Sequence, residues 1–334
     1  MEKDLPRFHS ILVPLDGSPF AEQALALADD IARGTGSPLR LALVHEGPVA
    51  AFDPASIQSL VALDLAGRKA ERAYLRGVQN RLRAGGARVP SAVGLTGKPG
   101  PALADYAYEM GIDLVVMATH GLGGVQRAWL GSVADHLSRH LEVPLLLVRP
   151  QDGKTAPSEP PAQGSILVAL DGSRLAEQVL EPAAGLARLW NAELLLVWVV
   201  RPTPLTLDPS MITPAGFDEQ ATATWRAQAQ DYLNDIAERI RATGLRASAV
   251  ASIGWSAAET IHSLATPEEV RLIALATHGR SGFRRLALGS VADKVIRGAE
   301  VPVLVLRPGR RTAVVDRVDA RHGALPRRRT RVRR

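Results

Sequence analysis

The amino-acid sequence predicts two doubly wound α/β domains in tandem, each a five-stranded parallel sheet with helices on both faces, and three observations carry that expectation. First, the chain is written twice: Ser10-Ile11-Leu12-Val13-Pro14-Leu15-Asp16-Gly17-Ser18 returns as Ser165-Ile166-Leu167-Val168-Ala169-Leu170-Asp171-Gly172-Ser173 at an offset of 155. Ala118-Thr119-His120-Gly121 and Gly131-Ser132-Val133-Ala134-Asp135 return as Ala276-Thr277-His278-Gly279 and Gly289-Ser290-Val291-Ala292-Asp293 at an offset of 158. A repeat that keeps its spacing this closely requires the same fold in both copies. Second, short apolar runs alternate with longer amphipathic segments, the pattern of parallel strands joined by helices. Third, runs such as Leu145-Leu146-Leu147-Val148 and Val303-Leu304-Val305-Leu306 are apolar without alternation, as strands covered on both faces must be.

Taken in order, the first copy places strands at 10–15, 39–45, 87–95, 113–118 and 144–148, with helices at 19–33, 66–84, 100–110 and 131–140. The first helix is announced by Ser18 as its cap and Pro19 at its first position. The second copy repeats the strands at 165–170, 193–200, 246–253, 271–276 and 302–306. A stretch rich in Pro, Ser, Gly and charge separates the copies, so the expected division is a first domain at 1–150, a linker at 151–163, a second domain at 164–308 and a tail at 309–334.

Composition narrows the function classes. At 334 residues the chain has room for two cores of ordinary size, and an apolar fraction of 46% supports burying them. There is no cysteine, which excludes disulfides, thiolate metal sites and cysteine nucleophiles together. Neither a signal peptide nor a run of about 20 apolar residues is present, so a cytoplasmic protein with no membrane span is expected. The net charge of +6 is unevenly placed: residues 309–334 hold ten arginines against two aspartates, a net of +8, leaving −2 on residues 1–308. The tail reads as a disordered solvated extension. Its sharper reading is an arm for nucleic acid or another anionic surface, because clustered arginines gain affinity by releasing counterions.

In open α/β sheets ligands bind beyond the carboxyl ends of the strands. Asp16 and Asp171 sit at such an end, where a carboxylate can accept hydrogen bonds from a ribose or an amino group; Asp-Gly also closes turns. After the fourth strand come Thr119-His120-Gly121-Leu122-Gly123-Gly124, Arg127 and Gly131-Ser132, with Thr277-His278-Gly279-Arg280-Ser281-Gly282, Arg285 and Gly289-Ser290 in the second copy. Glycines let backbone amides approach an anion, and the first amides of the following helix are donors at its positive end. Ser132-x-x-Asp135 and Ser290-x-x-Asp293 also fit a capping box, which would occupy some of the same donors. The recurrence of the Gly121–Gly131 and Gly279–Gly289 spacing favours the phosphate reading.

On these residues the chain resembles the universal stress protein family in its tandem form, across residues 8–308. The ATP-binding branch of that family carries an aspartate after the first strand and a Gly-x2-Gly-x9-Gly-Ser/Thr pattern after the fourth. Gly121 to Gly131 and Gly279 to Gly289 match its Gly-x9-Gly part, with Ser132 and Ser290 following, while Ala118 and Ala276 replace the first glycine and narrow the pocket beside the ribose. The resemblance implies Rossmann-like domains with strand order 3-2-1-4-5 that pair through the last strand, in a homodimer or within one chain. It implies ATP with Mg2+ as ligand: Asp16 and Asp171 on the adenosine, Val44 and Val199 on the adenine, and Gly121, Gly131, Ser132 and Val133 on the phosphates. Gly279, Gly289, Ser290 and Val291 would take the phosphates in the second copy, with His120 and His278 beside the loops. The function so implied is nucleotide-dependent regulation of a stress or dormancy response. A slow ATPase or adenylyl-transferring enzyme, and a nucleotide-free interaction scaffold should the two alanines close the pockets, are the alternatives.

Two further features weigh less. His136 and His140 lie one helical turn apart, but no glutamate follows His136 and the second copy has Lys294 and Gly298 there, which favours a solvated helix face over a metal pair. No Gly-x4-Gly-Lys-Ser/Thr loop occurs, so the lysine that reaches the outer phosphates in P-loop enzymes is missing and fast hydrolysis is not expected.

Overall fold

The computed structural model describes residues 8–47, 54–119, 130–150, 164–204, 217–266, 269–277 and 288–307, with 54–58 described by backbone alone. The non-alternating apolar runs form the inner strands, since both their faces are covered. The strands of the first half are β1 (Ile11–Leu15), β2 (Leu39–His45), β3 (Ser91–Thr96), β4 (Leu114–Ala118) and β5 (Leu145–Val148), with β3 at the edge, and its helices are α1 (Pro19–Glu22), α2 (Ala24–Thr35), α3 (Pro54–Ala84), α4 (Pro99–Glu109) and α5 (Ser132–His140). The second half gives β6 (Ser165–Ala169), β7 (Glu193–Val200), β8 (Thr203–Pro204), β9 (Phe217–Asp218), β10 (Ala247–Ile253), β11 (Val270–Ala276) and β12 (Val303–Leu306). Its helices are α6 (Arg174–Glu177), α7 (Leu180–Leu189), α8 (Glu219–Arg241), α9 (Ala257–Leu264) and α10 (Ser290–Gly298).

Ten of the strands form one sheet in the order β10-β7-β6-β11-β12-β5-β4-β1-β2-β3. Each half of this sheet therefore follows 3-2-1-4-5 and is parallel throughout, while β8 and β9 pair antiparallel in a separate two-stranded sheet. The halves meet through their last strands, which run antiparallel with Leu304 opposite Leu146. Helices α2, α3, α7 and α8 bury one face of this sheet and α4, α5, α9 and α10 the other, and each apolar cluster runs through both halves. Across the junction α2 packs on α7, with the Leu189 side chain over Gly34. The Trp190 Nε1–H donates to Asp30 Oδ2 at 2.7 Å, and the Arg271 guanidinium lies 4.3 Å over the Trp190 ring and 3.5 Å from the same carboxylate.

Three details depart from the expected elements. The helix expected at 19–33 is broken at Gln23, whose amide bonds back to the Phe20 carbonyl in a tight turn; α6 and α7 repeat the break. The strand expected at 87–95 begins at Ser91. The Leu39 amide still reaches the Arg88 carbonyl at 2.8 Å, but Pro90 has no N–H to continue the ladder. Helix α3 begins at Pro54, twelve residues before the expected start at 66. Helix side chains shield the outer edge of β10 and the approach to β3. On β10, Gln230 bonds the Ala251 amide and the Ala249 carbonyl while Arg226 bonds the Ala251 carbonyl, and beside β3, Gln79 and Arg83 bond the Val89 carbonyl. A sheet edge satisfied in this way offers little to a further strand.

Candidate functional site

The described residues that the repeat pointed to lie at the carboxyl ends of the strands. Asp16 follows β1, and its Oδ1 accepts hydrogen bonds from the Ser18 amide at 2.9 Å and the Ser18 hydroxyl at 2.6 Å. Asp171 Oδ1 accepts from the Ser173 amide at 3.0 Å. Each aspartate thus shapes a turn over a glycine with positive φ, +85° at Gly17 and +78° at Gly172. Ser18 and Ser173 then cap α1 and α6 through the amides of Ala21 and Ala176, both at 3.1 Å, as the sequence predicts for the first copy.

The fourth strand of each half is followed by a buried threonine whose carbonyl receives the amide of the next helix's cap: Gly131 to Thr119 at 2.8 Å and Gly289 to Thr277 at 2.9 Å. A Cβ on Gly289 would collide with that carbonyl oxygen. Close approach of backbone to backbone therefore demands this glycine, independently of any ligand. Helices α5 and α10 start with these glycines as N-caps and without a side-chain cap. The capping box that the sequence allows does not form: Asp135 and Asp293 turn away to Arg139 and Arg297, one turn on, at 2.7–2.9 Å. The first-turn amides, with Ser132 and Ser290 exposed beside them, keep the positive end of each helix dipole unopposed by a capping side chain.

In the second half a cavity of about 770 Å³ opens over these strand ends, within the range of small-molecule sites. Asp171, Val199, Ala276, Gly289, Ser290 and Val291 all line it. In the first half Asp16, Val44, Ala118, Gly131, Ser132 and Val133 occupy the matching ends of β1, β2, β4 and the start of α5. His120, Gly121, His278 and Gly279, like Arg127, Arg285 and the tail at 309–334, lie outside the described residues.

The structure adds groups that the repeat does not reveal. Trp198, next to Val199, lies over Gly172 and meets Tyr232 edge to face, ring centroids 5.3 Å apart. Trp198 and Trp225 both line the cavity, beside Arg201 and Thr203. Burial drives the Tyr232 hydroxyl's pKa far above its ordinary value, aided by Glu177, to which it donates at 2.9 Å. In the first half His45, at the end of β2, is buried between two carboxylates of α3. Its Nδ1 lies 2.9 Å from Glu71 and its Nε2 2.7 Å from Asp64, which also receives Arg68 at 2.7 Å. Glu71 first and Asp64 second raise the His45 pKa above its ordinary value, and Arg68 and then His45 hold that of Asp64 low. The carboxylates bind opposite edges of one ring, so this is an ion-pair cluster; among the described residues no group of three or more His, Cys, Asp or Glu is arranged for a metal. His136 and His140 stack at 4.0 Å. His140 is exposed as a solvated face requires, but His136 wedges against Gly100 of α4, and burial first, then His140, lowers its pKa. No helix among the described residues is long and apolar enough to cross a membrane.

The class defined by fold and sequence together is the tandem universal stress protein. The family model for the universal stress protein family matches residues 7–149 and 164–307, and the chain belongs to that family. It is 30% identical over 145 residues to a universal stress protein of Bacillus subtilis, covering 42% of this chain and 97% of that one. A universal stress protein of Mycobacterium tuberculosis is 27% identical over 214 residues, 63% of this chain and 66% of the relative. The match thus spans less than two thirds of the relative's own length. A universal stress protein from Archaeoglobus fulgidus superposes with a TM-score of 0.62 over 90% of this chain and 97% of its own, at 20% identity, and shares the fold.

Proposed function

We propose that the second-half cavity binds an adenine nucleotide, ATP with Mg2+, as a regulatory ligand. The observation that carries this reading is that Asp171, Val199, Ala276, Gly289, Ser290 and Val291, widely separated in the sequence, line one cavity of nucleotide size. Asp171 would accept hydrogen bonds from the sugar, the Val199 backbone would meet the base, and the first amides of α10 with the Ser290 hydroxyl would hold phosphate oxygens. The absence of a side-chain cap on α10 supports the last assignment. Ala276 lies in the cavity wall, and the volume left beside it argues against the nucleotide-free scaffold. Magnesium would come with the phosphates and neutralise their charge. His278 and Gly279 would complete the phosphate loop. The first half would bind by the same scheme through Asp16, Val44, Ala118, His120, Gly121, Gly131, Ser132 and Val133.

The nucleotide would act by binding one arrangement of the protein more tightly than another, since a ligand shifts an equilibrium only by its differential affinity. Turnover would be slow or absent, as no P-loop lysine is present.

The test is to denature freshly purified protein, identify any released nucleotide by chromatography, and titrate the stripped chain with ATP and magnesium. Asp16→Asn with Asp171→Asn keeps an oxygen for each turn while removing the charge. The expected result is up to two nucleotides per chain, lost in the double variant. No nucleotide and no binding would overturn the proposal, and steady hydrolysis above about one per second would replace it with an enzymatic one.

A further inference from the structure

Trp225 stands at an anomalous place. It lies on α8 in register with Thr222, Ala229, Leu233 and Ile236, the stripe that packs against the sheet, because residues three and four apart share one helical face. The other four are buried, yet Trp225 is 51% exposed. Its helix face overhangs the strand ends, where the protein supplies a cavity instead of a sheet, and the indole is part of that cavity's wall. A large aromatic side chain on a core-facing stripe that meets open space is a wall waiting for a flat apolar partner.

The first half supports this by contrast. Tyr74 and Tyr232 mark the same turn of α3 and α8, as do Arg81 and Arg239, which pair with Glu22 and Glu177. Counting back from the tyrosines, Trp225 corresponds to Gly67, Thr222 to Asp64 and Ala229 to Glu71. Where the second half has an indole over an apolar cavity, the first half has Gly67 against the His45 ring inside its ion-pair cluster.

We infer that Trp225 is a specificity-determining residue of the second-half site, stacking on the ligand's planar base from the cavity mouth, so that the two halves differ in affinity for base-bearing ligands. This rests on the adenine-nucleotide reading of the cavity. Stacking of a base on an aromatic side chain is sequence-tolerant and strong enough that removing it weakens binding by about tenfold or more.

The experiment is calorimetric titration of the stripped full-length chain with ATP plus magnesium and with inorganic tripolyphosphate, which carries phosphates and no base. Trp225→Ala is expected to weaken ATP at the second-half site at least tenfold and leave tripolyphosphate unchanged, while Trp225→Phe retains ATP affinity there within about threefold. If the alanine variant loses the wild-type unfolding midpoint, Trp225→Leu, which keeps apolar bulk without a ring, is read in its place. Unchanged ATP affinity overturns the stacking role while the cavity reading stands. Equal weakening of ATP and tripolyphosphate also overturns it, since that is the signature of a general structural defect. Failure of the wild-type chain to bind ATP at all overturns both.

Discussion

Gly289 offers the most direct test of why the strand-end loop has the sequence it has. Its φ of −60° is one that alanine adopts without strain, so a substitution acts through space alone. An added Cβ would collide with the Thr277 carbonyl oxygen, the atom that accepts the Gly289 amide at 2.9 Å. Relieving the collision means moving the start of α10 off the end of β11. Overpacking of this kind costs about 1–3 kcal/mol and the lost hydrogen bond about 0.5–1.5 kcal/mol, so Gly289→Ala is expected to destabilise by about 2–4 kcal/mol. With a urea slope of about 3 kcal/mol per M, that lowers the midpoint by about 0.7–1.3 M. The assay is equilibrium urea unfolding of the full chain followed by far-ultraviolet circular dichroism. Gly77 provides the internal control: it lies exposed within α3, nothing meets a Cβ built there, and its φ is not positive. Gly77→Ala is therefore expected to stabilise by up to about 1 kcal/mol. A Gly289→Ala midpoint equal to wild type would refute the reasoning and leave ligand approach as the reason for the glycine.

Other expectations concern charge and the junction. The folded pKa of His45 is raised above 6.5, so its contribution to stability is fully present below about pH 6.5 and is lost as pH rises through the folded value. That of Asp64 is lowered from 3.8, so its contribution holds above that value and is lost on acidification through its folded pKa. His45→Val, which installs the second-half residue Val200, should therefore lower the unfolding midpoint most near pH 5–6 and progressively less towards pH 9; a difference that grows with pH would contradict the cluster. Asp30→Ala removes the acceptor of Trp190 and the partner of Arg271. With the carboxylate 52% exposed, a loss of about 1 kcal/mol is expected, and a midpoint within error of wild type would mean that the apolar junction alone suffices. Deleting residues 309–334 removes a net charge of +8 and should lower the salt needed to elute the protein from immobilised DNA; unchanged elution would exclude the tail as an anionic-surface arm.

The inner strands were legible because each had to be apolar on both faces, and Leu145–Val148 and Val303–Leu306 have no other use for such runs. The break at Gln23 was not, because a buried glutamine between two alanine-rich turns satisfies a helical pattern equally well. Pro90 hid the start of β3 by interrupting a ladder whose pairing begins earlier. At the site, comparing one copy with the other selected residues present in both, such as Asp171, Ser290 and Gly289. The same comparison concealed what one half owns alone. Trp198 and Trp225 face Leu43 and Gly67 in the other copy, while the His45 cluster faces Val200, Thr222 and Ala229, so neither registers as repetition. The spacing of Asp64, Arg68 and Glu71 along α3, three and four residues apart, was the available signal for the cluster.

The antiparallel seam between β5 and β12 has a consequence for how such a molecule can change. Two separate chains joined by this seam would depend on their concentration for pairing and would be bound by symmetry, so that any substitution at one ligand site would appear at the other. Covalent continuity removes both conditions. The seam forms within one chain at an effective concentration fixed by the connecting segment, and Gly67 and Trp225 are free to differ because each is encoded once. Divergence between the two halves of a common sheet is open to the tandem chain and closed to a symmetric pair.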